Sequence, residues 1–378
     1  MARNIVLISN IMPAIENVRG TSALPYHLMV ARNKDVDVTI YSYNINELDD
    51  EQILTAERML HVKIVEMEMP KWIVWTLRPY MLLVRLLLKY PVLHYLTINE
   101  KYLNEIEKSH FAGVWIYGEE MGRISKQLNK YKRVHTLPDA ESLYYERLGG
   151  IRKIVSGNKF KRMENVMDRT VLYHLVGAAD MEWFKKMAPG VDARFIRHPH
   201  YELVDKKIGF GKKVQLLVAG RNDIYMRRTA NEMIEALQEI LKTDEYVVTF
   251  LGKGWKDEVG RLRQVGYDVN WKEFVENYVA EVAKYDIQIS PLSLGTGTKG
   301  KVLDAMANGV LVVGTKYALE NIADGGVLYK SKEELKDVLL DILSDKEKYE
   351  EMASEARKNV RREHNRARVS GQLFDLFR

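Results

Sequence analysis

The 378-residue chain contains no cysteine. That excludes disulfides and thiolate metal sites, and it agrees with a reducing compartment. No uninterrupted apolar run approaches the roughly 20 residues a membrane-spanning helix needs. The opening stretch MARNIVLISN enters a strand pattern at once, without the apolar core of a signal peptide. A cytoplasmic location is expected on those grounds. Internal repeats and low-complexity tracts are absent as well. Charge of one sign is scarce: 57 Lys and Arg against 52 Asp and Glu leave +5. So mild an excess does not point to nucleic acid as a partner without local clustering. What the chain has in quantity is apolar residues, 46% of the total, over a length that favours two domains.

Short apolar runs alternate with helical stretches. NIVLIS (4–9), VDVTIYS (36–42), KIVEM (63–67), GVWIYG (113–118) and RVHTL (133–137) read as strands, with a helix near 21–32. A second series begins at KKVQLLVAG (212–220). It continues through a helix near 228–241, then YVVTFLG, DIQIS and VLVVGT. Such alternation predicts an α/β fold with parallel sheets covered on both faces, in two Rossmann-like domains facing each other across a cleft. The expected division is 1–200 and 207–360, joined by the polar stretch RHPHYELVDKKIGFGKK. Charged helices follow, and 361–378 is expected to return to the first domain. Ligands in such folds lie at the carboxyl ends of the strands.

Three constellations sit at strand ends. The first is SPLSLGTGTKGKVLDAMANG, in which Gly295, Gly297 and Gly300 give a backbone that bends freely and approaches a ligand closely. Thr296 and Thr298 interleave them, Lys299 and Lys301 add positive charge, and the next helix aims its positive end at the loop. This is the chemistry of an anion cradle; the plainer reading is a tight strand-to-helix turn. Asp304, one turn into that helix, is placed to accept hydrogen bonds from a ribose diol. The second is AGRNDIYMRRT, where Arg221 follows a strand and Arg227 and Arg228 open a helix. Cations at a helix N-terminus oppose its dipole, so the placement calls for a reason, and paired guanidinium donors suit a diphosphate. The third is RVHTLPDAESL, where His135 and Asp139 flank a proline turn, either projecting toward a ligand or, with Glu141, capping the following helix. Glu119 and Glu120 of GEEMG end another strand.

The run PLSLGTGTKGKVLDAMANGVLVVGTKYALENI resembles the nucleotide-sugar signature of GT-B glycosyltransferases, particularly the retaining enzymes of family 4 (glycosyltransferases group 1). That family shows Glu, seven residues, Glu, then Ala-Met-Ala-x-Gly. Here Asp304 takes the second acid's position, and Ala305, Met306, Ala307 and Gly309 match. Thr296 stands where the first acid belongs, and a sub-group of the family carries a Gly-x-Gly-x-Lys-x-Lys loop instead. The resemblance implies that Arg221 and Arg228 clamp a donor pyrophosphate, Arg228 with one inserted residue. Glu320 matches a further acid of the pattern. Gly20, in NVRGT, corresponds to the first-domain loop near the donor phosphates, and His135 and Asp139 are placed near the reacting sugar. The implied activity is transfer of a hexosyl-type sugar from a UDP- or GDP-sugar to a glycan or lipid-linked glycan. It implies retention, a role in cell-surface polysaccharide synthesis, no cofactor and no metal, since cations and a helix dipole stabilise the departing diphosphate. The first domain would then bind the acceptor and the second the donor. Two rivals are a nucleotide-sugar epimerase of the same architecture and a non-catalytic, membrane-recruited binding subunit.

One segment fits neither sheet. KWIVWTLRPYMLLVRLLLKY (71–90) predicts a helix from Pro79 to Tyr90, with Lys71, Arg78, Arg85 and Lys89 on one stripe and nearly everything else apolar. RLGGIRKIVSGNKFKR (147–162) adds six cations and no acid. A core helix with a wet edge is one reading; peripheral contact with an anionic membrane is the other. The motif DVD (35–37) mimics a metal-binding pair but lies where the second strand begins, far from the ligand-binding end, and HPH (198–200) lacks partner carboxylates and reads as linker.

Overall fold

The computed structural model describes residues 3–19 and 21–378. The chain forms two compact units, Met1–Pro199 with Arg366–Arg378, and His200–Asn365. In the first, strands β1 (Arg3–Ser9), β2 (Val36–Ser42), β3 (Lys63–Glu66), β4 (Gly113–Tyr117), β5 (Arg133–Leu137), β6 (Leu172–Leu175) and β7 (Asp192–Phe195) form a seven-stranded sheet in the order β3-β2-β1-β4-β5-β6-β7. Every pairing is parallel. β1 is buried from Ile5 onward and β4 and β5 throughout, on both faces, which is why they read as near-continuous apolar runs.

The second unit holds β8 (Val214–Ala219), β9 (Tyr246–Leu251), β10 (Asp268–Lys272), β11 (Ile287–Ser290), β12 (Leu311–Gly314) and β13 (Val327–Leu328), again parallel, in the order β10-β9-β8-β11-β12-β13. Its core packs these strands against the helices Arg227–Gln238, Gly300–Ala307, Lys332–Ser344 and Lys346–Glu363. The last helix, Arg366–Asp375, belongs to the first unit. There Val369, Leu373 and Phe374 share a core with Ile5, Leu7 and Trp115, and the Ser370 hydroxyl donates to the Leu28 carbonyl at 2.6 Å.

The stretch 200–213 has no regular structure, yet it is strapped to the second unit. The Tyr201 N–H donates to Asp304 Oδ1 at 3.3 Å, and the Val204 N–H to Asn308 Oδ1 at 2.8 Å. Asn308 in turn donates from Nδ2 to the Glu202 carbonyl at 3.2 Å. His198 and His200 are buried, with Nδ1 atoms against the carbonyls of Pro199 (2.8 Å) and Tyr201 (3.1 Å). Asp35 of the DVD motif holds Arg3 in a surface pair at 3.0 Å.

The segment 71–90 departs from expectation. It folds as Lys71–Leu77, a tight turn Pro79–Met81 and a short helix Leu82–Leu87. Arg78 is extended (φ −61°, ψ 141°), because a residue preceding proline is sterically disfavoured in the helical region. The four cations therefore do not share one helical stripe. Arg85 turns back instead: its Nη1 donates to the carbonyls of Thr76, Leu77 and Arg78 at 3.2, 2.9 and 3.0 Å. Those are orphan carbonyls at and just past the end of the preceding helix, and a cation there also suits its dipole.

Candidate functional site

Strand order reverses between β8 and β11 in the second unit, and such a switch point is where open parallel sheets bind ligands. β8 runs into Gly220, whose φ of 142° leaves no room for a side chain: a Cβ would lie 2.5 Å from the Met226 methyl. Gly252, after β9, lies so close to the Gly220 carbonyl that a Cβ there would overlap it. The Trp255 indole N–H fixes that same carbonyl at 2.8 Å. Arg221 thus projects, exposed, from a tightly held turn.

The β11 loop is tied to this turn. The Tyr225 carbonyl accepts from the Ser293 N–H (2.8 Å) and hydroxyl (3.0 Å), and the Thr229 hydroxyl donates to the Pro291 carbonyl. These bonds bring the glycine loop and both basic positions to one group of strand ends. Arg228 stands in the first turn of its helix, with its side chain 86% exposed and 3.7 Å from Glu232. A pair that exposed contributes little and leaves the guanidinium accessible.

Within the loop, Gly295 (φ 146°) and Gly297 (φ 62°) occupy backbone regions that side chains rarely adopt. Asn321 Nδ2 holds the Gly297 carbonyl at 2.9 Å. The Lys299 ammonium folds back on the Thr296 carbonyl, so this lysine sets the loop's shape. Thr296, Thr298, Lys299 and Glu320 are half-buried. Lys301 is exposed as a residue, but its ammonium lies 5.3 Å from the Tyr278 ring centroid, and burial there lowers its pKa. Asp304, read from the sequence as a ribose ligand, is buried, and its Oδ1 accepts from the linker. It also stands near the Tyr278 hydroxyl, whose pKa is raised by burial and then by the Asp304 charge. That hydroxyl has no hydrogen-bond partner among the described residues.

The first unit presents an acidic site at its own switch point, between β1 and β4. Glu119 and Glu120 follow Gly118 (φ 119°) at the end of β4, and Asp139 follows β5. A side chain on Gly118 would meet Asn10 Oδ1 at 2.5 Å, and that buried oxygen has no partner among the described residues. Glu119 and Glu120 keep part of their surface exposed, while their carboxyl groups are enclosed. Burial, then the Asp139 charge, raises the Glu119 pKa; burial, then Glu119, raises that of Glu120 to about 8. Glu141 is raised by burial, then by Glu119 and its acidic neighbours. Among the described residues no group of three or more His, Asp and Glu is placed to hold a metal ion. Burial and mutual repulsion favour the protonated form of these acids.

One expectation is corrected here. His135 does not project from the proline turn: it is fully buried inside β5, with Nε2 2.7 Å from the Gly118 carbonyl and its ring tilted against Tyr173. Burial lowers its pKa to about 4, so it is a neutral core residue. The helix Glu141–Leu148 takes no side-chain cap from Ala140, the residue at its N-terminus. Its first N–H groups are met from elsewhere, Ala140 by Asp180 at 3.0 Å and Ser142 by Glu164 at 3.1 Å. Sequence reading missed Asn10, Glu164 and Asp180, which come from segments with no local motif. Gly20 lies outside the described residues; beside it, Asn17 Oδ1 accepts from the Ala23 N–H at 3.0 Å.

Residues 213–345 match the family model for glycosyl transferases group 1. A sequence comparison with curated proteins finds no match. Solved structures resemble the whole chain. Anabaena HepE in complex with UDP and glucose aligns at TM-score 0.65 and 14% identity, covering 98% of each chain. A glycosyltransferase from Rickettsia africae aligns at TM-score 0.67 and 12% identity over 100% of this chain and 98% of its own. S. aureus TarM, in complex with Fondaparinux, alpha-GlcNAc-glycerol and UDP, aligns at TM-score 0.67 and 10% identity over 99% of both. At these identities the likeness is one of fold. The chain therefore has the two-domain GT-B fold, and the match to the group 1 glycosyltransferase model lies within its second unit.

Proposed function

We propose that the protein transfers a sugar from a nucleotide diphosphate sugar, a UDP-sugar in particular, to a glycan or lipid-linked glycan acceptor. One observation carries this reading: the hydrogen-bonded union of the Arg221 turn with the Gly295–Gly297 loop at the β8/β11 switch point, inside the matched region. Arg221 and Arg228 take the diphosphate, with the loop's N–H groups, Lys301 and the positive end of the helix Gly300–Ala307 completing the cradle. Thr296 and Thr298 offer hydroxyls, and Asp304 and Glu320 take donor hydroxyls, the ribose falling to Asp304. Complexes of HepE and TarM with UDP support the choice of base. Fixed cations supply the charge stabilisation a departing diphosphate needs, without a metal ion.

The first unit binds the acceptor, whose hydroxyls Glu119, Glu120 and Asp139 orient. Retention follows a front-face course in which the departing diphosphate assists, so no protein nucleophile is required. A polysaccharide or glycoconjugate of the cell surface is the product class, and the enzyme works against the inner face of an anionic membrane.

Epimerisation of the donor remains the second reading, favoured by the proton-holding acids and opposed by the burial of His135. Incubating UDP-sugars with glycan acceptors separates the two. UDP release that depends on acceptor supports transfer. Conversion of the donor to another sugar without UDP release supports the epimerase, and UDP binding with neither reaction, across a broad acceptor panel, supports a binding subunit.

A further inference from the structure

Two segments without a single acid, 71–90 and 147–162, adjoin in the first unit. The Lys159 ammonium donates to the Arg85 carbonyl, which joins them. Together they expose large apolar side chains: Leu83 is 74% exposed, Leu87 87%, Ile151 75% and Ile154 65%. Trp72, Trp75 and Tyr80 of the same stretch are also exposed. So much clustered apolar surface marks an interaction site. No helix among the described residues is long and apolar enough to cross a membrane, and the break at Arg78–Pro79 leaves only short pieces lying on the surface.

At the edge of this face lies a recess of about 610 Å3 lined by Lys89, Tyr90, Asn158, Lys161, Arg162 and Lys186, among others. Lys161 is paired with Glu146 at 2.7 Å. Lys186 stands 5.5 Å from the Trp183 ring centroid. Lys89 and Arg162 have no ion-pair partner among the described residues. Lys159 has its pKa lowered by burial and by Arg162, so further positive charge is crowded close by.

We infer that this recess binds the phosphate of an anionic lipid headgroup, while the adjacent leucines and isoleucines enter the apolar layer beneath it. The inference deepens the peripheral-membrane part of the proposed function and rests on it. Charge complementarity selects the occupant: two segments with no acid of their own, rich in Lys and Arg and carrying exposed apolar side chains with Trp and Tyr, outweigh the neighbouring Glu146 and have the composition of an interfacial surface. The recess adds what a merely basic rim lacks, a concave site lined by several cations and the Asn158 amide.

The test is co-sedimentation with vesicles of equal parts phosphatidylglycerol and phosphatidylcholine, against pure phosphatidylcholine, at low and raised salt. Wild type should pellet with the anionic vesicles and release as salt rises. The triple variant Lys89→Gln, Arg162→Gln, Lys186→Gln should lose on the order of a hundredfold in partition, since each cation near such a surface contributes roughly fivefold. Leu83→Ser with Leu87→Ser should weaken binding while keeping its salt dependence, and circular dichroism should show both variants folded. If wild type binds and the triple variant binds equally well, the recess is no headgroup site and the membrane reading stands. If wild type ignores anionic vesicles at low salt, both fall. Displacement from vesicles by millimolar glycerol 3-phosphate would assign the recess to soluble phosphate esters. A lipid-free dimer abolished by the leucine substitutions would assign the face to a second copy.

Discussion

Asp304 stands where two demands meet. The helix it sits on opens from the glycine loop, and its Oδ1 also receives the Tyr201 N–H. Asp304→Asn separates those roles, because the amide oxygen still accepts from Tyr201 while the charge is gone. UDP binding should weaken by about 1.5–3 kcal/mol, the range for a hydrogen bond to a charged group, with the melting temperature nearly unchanged. A variant that binds UDP like wild type but melts lower would make Asp304 a linker anchor alone. At this scale the sequence was informative where a residue sits beyond the end of a strand, as Arg221 does. It was misleading at His135, because β5 is buried on both faces and alternation carries no information about which side chains reach solvent.

Elements show a similar contrast. Long apolar runs such as β1, β2, β8 and β9 are plain in the sequence. The strands β6 (LYHL), β7 (DARF), β10 (DVNWK) and β13 are short or carry polar residues, and only their neighbours in the sheet make them strands. The break at Arg78 was legible through the pre-proline rule; the amphipathic pattern concealed it. The acidic site was only half legible, since β4, the β5 turn and the helices Glu141–Leu148 and Asn158–Asn165 each contribute separately. Its assembly has a consequence for stability. Burial raises Glu120 to about 8 and Glu164 to about 7, against 4.5 for a free glutamate, and raises Glu119 and Glu141 as well. The folded protein therefore binds protons more tightly than the unfolded chain at these sites. Their contribution is complete below about pH 4.5 and is lost as pH rises through 7 to 8. The buried histidines, lowered from 6.5 to about 4, act between those values and with the opposite slope, and Asp168, lowered to about 2, acts below 3.8, so neither contributes above pH 6.5. Thermal melts should therefore fall between pH 6.5 and 8, and Glu120→Gln should flatten that slope. An unchanged slope in the variant would mean that Glu120 titrates normally.

For the whole molecule, alternation of strand and helix sufficed to predict two parallel sheets, and the glycine loop with its following acid led to the GT-B fold. Sequence left out the cross-connections, because hydrogen bonds such as Ser293 to Tyr225 join loops far apart in the chain. Those bonds underlie the central claim that the second unit's strand ends hold a nucleotide diphosphate. Calorimetric titration of UDP into the full-length wild type and into Arg221→Ala tests it most directly. Wild type should bind, and the variant, with an unchanged melting temperature, should bind about ten- to a hundredfold more weakly, as loss of a charge-assisted hydrogen bond requires. No UDP binding by wild type, or an unaltered dissociation constant in the variant, would contradict the claim.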